Sequence, residues 1–162
     1  MEKNSVQNNQ RGLNYWTRAA MIAALYAGLT ILLAPISYGM IQVRVAEMLM
    51  VLPFFTLAAV PGLFVGCLVA NIFGGYGLPD IVFGSLATLA AAYLVTKIKN
   101  RYLVPLPPVI INAIVVGMIL HYVLGLPFLL TAAWVGLGQL LACYGLGLPL
   151  LIILEKQRHI FK

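Results

Sequence analysis

The chain has 162 residues, 62% of them hydrophobic and 9% charged, with a mean hydropathy of +0.99, whereas soluble domains carry roughly a quarter charged residues. This composition excludes an ordinary soluble domain and predicts a one-domain all-α membrane protein, long enough at about 1.5 Å per helical residue to cross a ~30 Å hydrocarbon core about six times. A formal charge of +6 at pH 7 does not point to nucleic acid, because the basic residues gather at Lys3, Arg11 and Arg18, at Lys97, Lys99 and Arg101, and at Lys156, Arg158 and Lys162, leaving Arg44 alone.

Apolar runs bounded by breakers predict helices at 17–34, 44–57, 60–73, 80–97, 107–124 and 130–155. They imply a six-helix transmembrane domain over 18–155 between an N-terminal tail, 1–17, and a C-terminal tail, 156–162. The third run is short: it rises only about 20 Å and needs tilt, thinning or shelter within the bundle. Placing both termini and the 97–107 loop on one face puts the three basic clusters together, as expected for cytoplasmic segments. The loops around 35–42, 74–79 and 125–127 then lie outside. The first run lacks a clear A-x-A-like cleavage site after "APISYG" and follows a long Asn- and Gln-containing tail, which argues against a cleaved signal peptide. There is no visible internal repeat and no matched pair of interrupted helices.

In the first helix, "AAMIAALYAG" spaces Ala20, Ala24 and Gly28 four residues apart. That small-residue flank serves either internal packing or docking of another membrane subunit. Next comes "YGMIQVRVAEMLMVLPFF" at 38–55, which carries Tyr38, Gln42, Arg44 and Glu47 at the mouth of an apolar run. An ionisable group in or beside a span costs several kcal/mol unless paired or hydrated, so it needs a named partner. For Glu47 the nearest in sequence is Arg44, three residues back on the same helix face. The plain alternative is a first-turn carboxylate favoured by the helix dipole and paired at the interface. Asp80, after "GYGLP", reads as a helix N-cap, and a cap can also face a ligand.

Asn71 and Tyr76 close the third run, His121 and Tyr122 the fifth, and Trp134 lies in the outer part of the sixth. Singly, Tyr76, Tyr122 and Trp134 fit an aromatic belt at the headgroups. Together with two carboxylates, an arginine and a histidine they also describe a polar pocket open to the outside. Deeper in, Asn112 fits interhelical hydrogen bonding and Gln139 a pocket floor. Cys67 and Cys143 stand singly in apolar runs and read as core filler. No P-loop, H-E-x-x-H or G-x-S-x-G pattern occurs, so the chain carries no ATPase motif, metal site or hydrolase centre of those kinds.

The run at 19–55 closely resembles the QueT family, and the similarity continues through "NIFGGYGLPDIVFGS" at 71–85. The most specific part is "SYG-x-IQ-x-R-x-x-E-x-L-x-x-LPFF". QueT proteins are substrate-binding S components of energy-coupling factor transporters, associated with uptake of queuosine precursors in bacteria. The resemblance implies a six-helix bundle in the cell membrane with both termini cytoplasmic, binding substrate externally with loops one, three and five. Its partners would be membrane lipid, a transmembrane coupling protein and two cytosolic ATPases that use ATP. This chain itself would hold no cofactor and catalyse no reaction. The family's first-helix alanine-x-x-x-alanine pattern falls on Ala20 and Ala24, and Gly28 extends it. Its motif residues here are Tyr38, Gln42, Arg44, Glu47, Asn71, Gly74, Gly75 and Asp80, while Val43 and Ala46 depart from the common pattern.

Queuine, preQ1 and preQ0 are 7-deazaguanines whose pairing edge offers an N–H and an NH2 side by side, a spacing one carboxylate accepts as a fork. Glu47 suits that clamp, Arg44 or Gln42 would orient it or reach the purine carbonyl, and Tyr76 or Trp134 would supply a stacking wall. For an aminomethyl cation, Asp80 is the candidate anion. Two alternatives stand beside this reading: the same architecture with another heterocycle or vitamin as cargo, and an intramembrane enzyme or structural membrane protein.

Overall fold

The computed structural model describes residues 2–38 and 42–157, with side chains from Gly12 onward. The basic side chains of Lys3, Arg11, Arg158 and Lys162, and His159, lie outside the described residues. Among the described residues the chain is all helix: α1 (Glu2–Leu32), the single turn α2 (Ala34–Ser37), a 3-10 segment (Val45–Phe54), α3 (Ala59–Gly74), a π turn (Asp80–Gly84) leading into α4 (Ser85–Val95), a short 3-10 turn (Arg101–Leu103), α5 (Leu106–Leu124), and α6 (Phe128–Leu140), joined by a second π turn (Leu141–Gly147) to α7 (Leu148–Lys156). Two continuous helical runs, Arg101–Leu124 and Phe128–Lys156, are long and apolar enough to cross a membrane by length and composition. Three shorter apolar runs, Val45–Phe54, Ala59–Gly74 and Asp80–Val95, accompany them.

Six helical runs pass back and forth between two ends of the bundle. One end is tied by Tyr15 Oη donating to the Leu57 carbonyl at 3.4 Å and by a cluster of Val51, Val95, Val104 and Leu151. Arg101 pairs there with Glu155 at 3.2 Å, and Lys97 lies over the Tyr93 ring. The opposite end gathers Tyr38, Tyr76 and the Gly75 and Gly77 turn, where both glycines take positive φ that only glycine adopts without strain. The outer surface is apolar, with Leu32, Phe73, Leu78 and Leu129 among its exposed side chains, as a lipid-facing belt requires.

Close approach between helices explains where the glycines sit. A Cβ on Gly62 would lie 2.6 Å from the Ala19 carbonyl, and one on Gly66 would lie 2.8 Å from the Ala23 carbonyl and from Tyr26 Cβ. Gly62 and Gly66 are four apart on α3, so their bare flank receives the backbone of α1 in the small-xxx-small manner. The small-residue stripe on α1 is therefore not what packs inside: Ala19 and Ile22 are buried, while Ala20 and Ala24 are exposed.

The second run departs most from expectation. Instead of an α-helix over 44–57 it is a ten-residue 3-10 segment, seven of whose residues are buried. Runs of 3-10 longer than about four residues are uncommon, but the form is thinner and rises about 2.0 Å per residue, so ten residues thread about 20 Å of bundle. Neighbouring glycines admit it: Gly147 abuts Met48, and a Cβ on Gly138 would overlap the Gln42 carbonyl. The expected first and sixth helices also differ. The first, expected to start at residue 17, is continuous from Glu2, and the sixth is interrupted by the π turn Leu141–Gly147.

Gly66→Val should force α1 off α3 and destabilise the bundle by about 1–3 kcal/mol. A lowered thermal midpoint of the purified chain in detergent would register it, and Gly145→Ala, where a Cβ meets nothing within 4 Å, serves as the control.

Candidate functional site

The 3-10 segment delivers Glu47 to the centre of the bundle, where it is fully buried. Tyr26 Oη on α1 donates to Glu47 Oε1 at 2.5 Å, and the other carboxylate oxygen, Oε2, has no protein partner. Asn112 on α5 and Gln139 on α6, each about 2% exposed, face the same carboxylate. Cys143 Sγ, in the second π turn, donates to Gln139 Oε1 at 3.4 Å and holds that amide in place.

Arg44 caps the start of the 3-10 segment without a side-chain cap bond, and its guanidinium turns to α4's leading turn: Nη2 lies 3.5 Å from Asp80 Oδ2, with both side chains buried. The expected Arg44–Glu47 partnership is thus corrected. Glu47 takes a phenol from α1, and Arg44 takes the carboxylate that sequence reads as a helix cap. Asp80 makes no capping bond, because the N-cap is Pro79 and Asp80 is the first residue of the π turn. That turn widens the helix, and Gly84 leaves room for the side chains, since a Cβ there would lie 2.6 Å from Asp80 Oδ1 and 2.9 Å from Asn71 Nδ2. Asn71 is fully buried and donates to the Asp80 carbonyl at 2.9 Å, fixing the amide so that its Oδ1 is left over.

Tyr38 covers this pair. Its hydroxyl donates to the Ala70 carbonyl at 2.6 Å, its ring lies against Gly74, and the Arg44 guanidinium sits 5.6 Å from the ring centroid. Tyr76 Oη donates to the Tyr38 carbonyl while the Tyr76 ring packs on Val116, Leu120 and Val135. Gln42 is buried, with Nε2 unpartnered.

Of the residues singled out by sequence, Gln42, Arg44, Glu47, Asn71, Asp80 and Gln139 are buried within the bundle, and Tyr38 and Tyr76 partly cover them. Trp134 is half-buried on α6, and His121 is exposed, its Nδ1 engaged with the Leu126 carbonyl at 2.5 Å beyond the end of α5. Sequence reading missed Tyr26, and with it Ser37, Ser85 and Thr88, all buried. The available signal for Tyr26 was its spacing of four from Ile22 and three from Ala23, which places it on the inward face opposite Ala24. A separate groove of about 510 Å³ along Phe83, Ile114, Met118 and Tyr122 is almost wholly apolar.

On α1 the outward flank is open. Ala20 and Ala24 are exposed, a Cβ at Gly28 would meet nothing within 4 Å, and a shallow groove of about 200 Å³ runs beside it past Trp16, Ala20 and Val65.

Removing Arg44 strands a buried carboxylate. Arg44→Ala should cost about 3–5 kcal/mol, and adding Asp80→Asn in the same chain should recover part of that loss, a non-additivity that unfolding of the two single variants and the double variant measures directly.

The family model described as QueT transporter matches residues 16–156, which takes in every element of this site. A curated relative, "Queuosine precursor transporter QueT" of Lactococcus lactis subsp. cremoris, is 38% identical over 85 residues, covering 51% of this chain and 50% of the relative. The chain thus spans about half the length of the curated relative it matches. No solved structure matches it. With a family match running through α1, the buried polar cluster and α7, this chain is a membrane protein that belongs to the QueT transporter family.

Proposed function

We propose that this chain is the substrate-binding subunit of an energy-coupling factor transporter, and that it captures a 7-deazaguanine queuosine precursor at the external face of the bacterial cell membrane. In this reading all six helical runs span the membrane, the basic end with both termini is cytoplasmic, and the Tyr38 and Tyr76 end is external. The observation that carries the cargo assignment is the half-satisfied Glu47 carboxylate: Tyr26 fixes Oε1 and leaves Oε2 unpartnered in a buried site. A carboxylate so held accepts from the adjacent N–H and NH2 of a guanine-type edge, and Gln42 Nε2 is a spare donor for the ring carbonyl. The family supports transport over chemistry, and the relative's name supports the cargo class.

The Ala20, Ala24 and Gly28 flank, exposed at both alanines and half-buried at Gly28, is the proposed docking face for the transmembrane coupling protein, which two cytosolic ATPases drive with ATP. Tight helix contact in lipid relies on such bare flanks.

A thermal-shift panel of the purified protein with queuine, preQ1, preQ0, guanine and unrelated vitamins tests the cargo class, and stabilisation by vitamins alone would reject it. Glu47→Gln should weaken 7-deazaguanine binding about tenfold to a hundredfold in a direct titration, and unchanged affinity would remove Glu47 from the site. Ala20→Trp or Ala24→Trp should abolish co-purification with the coupling protein while sparing ligand affinity. Wild-type co-purification would reject this docking face.

A further inference from the structure

Among the described residues the buried charged side chains are Arg44, Glu47 and Asp80, one positive against two negative. Gly39, Met40 and Ile41, which lie outside the described residues, carry no charge. Arg44 pairs directly with Asp80 and reaches Glu47 only through space, while the groups against the Glu47 carboxylate, Tyr26, Asn112 and Gln139, carry no positive charge, so one cation serves two buried acids. An uncompensated ion out of water costs several kcal/mol, so the occupied site is most stable when its occupant brings the missing charge.

The hydrogen-bonding inventory leans the same way, in part through the same two carboxylates. Buried atoms without a partner include four acceptors, Glu47 Oε2, Asp80 Oδ1, Asn71 Oδ1 and Asn112 Oδ1, against two donors, Gln42 Nε2 and Arg44 Nε, while Ser37 Oγ can do either. The carboxylates accept in any orientation, and the Asn71 amide is fixed by its bond to the Asp80 carbonyl. A buried cluster with surplus acceptors is satisfied by a ligand with surplus donors.

We infer that this site selects a cationic, donor-rich ligand, so that among 7-deazaguanines those bearing an alkylammonium at position 7 bind in preference to neutral ones. The inference rests on the function proposed above and narrows it. A neutral analogue sharing the same ring makes the same contacts with Glu47 and Gln42 but leaves the site's excess charge unbalanced and its surplus acceptors unmatched, a loss expressed as discrimination.

The test is an equilibrium titration of the full chain in detergent or nanodiscs with 7-aminomethyl-7-deazaguanine and 7-cyano-7-deazaguanine, which share ring and pairing edge and differ in charge. The aminomethyl compound should bind about tenfold tighter or more. Equal affinity, or a preference for the nitrile, overturns the inference and leaves the 7-deazaguanine reading standing. Failure of both to bind overturns the two together. A 7-hydroxymethyl analogue, close in size to the aminomethyl compound but neutral, separates charge from shape without any mutation: affinity matching the nitrile supports the inference, and affinity matching the amine overturns it. Glu47→Gln and Asp80→Asn each remove one negative charge, and each should shrink the amine's advantage to about threefold or less. An advantage undiminished in both variants would overturn charge as its cause.

Discussion

A carboxylate held out of water in the middle of an apolar bundle sets the terms for everything around Glu47. Isolated, such a group costs several kcal/mol, more than a small membrane protein can spare at one position. The bundle offsets part of that cost with the Tyr26 hydroxyl at 2.5 Å and the nearby Asn112 and Gln139 amides. It does not offset all of it, since one oxygen is left without a partner. Buried polar groups are nearly always satisfied in stable proteins, and the exceptions mark places where something else completes the set. Among the described residues seven such atoms occur, on the end of α2, the segment leading into and beginning the 3-10 run, the last turns of α3, the π turn at Asp80 and the first half of α5.

Backbone approach makes that burial possible. A 3-10 thread is slim, but it reaches the centre only where its neighbours carry no Cβ, and Gly138 and Gly147 supply those gaps from the last helical run. On the other side Gly62 and Gly66 bring α1 close enough for Tyr26 to reach Glu47. Gly84 and the π turn at Asp80 do the same for the Arg44 pair. The glycines and the polar groups are therefore one arrangement: each charged side chain sits where a missing Cβ lets a partner helix come near.

Much of this was legible in the sequence, in unequal parts. Helical class and the positions of most runs followed from hydropathy, and Gln42, Arg44, Glu47, Asn71 and Asp80, polar residues beside apolar runs, are all buried. Partner choice was not legible. Arg44 and Glu47 are three apart, which sequence reasoning reads as a pair, yet Arg44 bonds across 36 residues and Glu47 across 21. Such contacts depend on which helices adjoin, and local spacing carries no record of that. The 3-10 form of 45–54 was hidden too, because a segment buried on nearly every side shows no amphipathic period to distinguish three residues per turn from 3.6. His121 lies at the surface, its ring turned to the Leu126 carbonyl beyond the end of α5, a contact that local spacing does not foretell either.

Below the polar cluster the interior changes character. Leu49, Met50, Leu52, Leu63 and Cys67 form a continuous apolar layer between Glu47 and the basic end of the bundle. A flat heterocycle crossing that layer as a bare solute would give up its hydrogen bonds with nothing in return, at about 1–3 kcal/mol for each polar group left unpaired. Under the proposed function, that layer favours capture at the polar cluster over passage through the static bundle. Under the same proposed function, delivery requires a change in how the whole bundle sits or opens, which the partner module would drive. α1 is placed to take part, for it carries the Glu47 partner Tyr26 on one flank and the open Ala20, Ala24 and Gly28 stripe on the other.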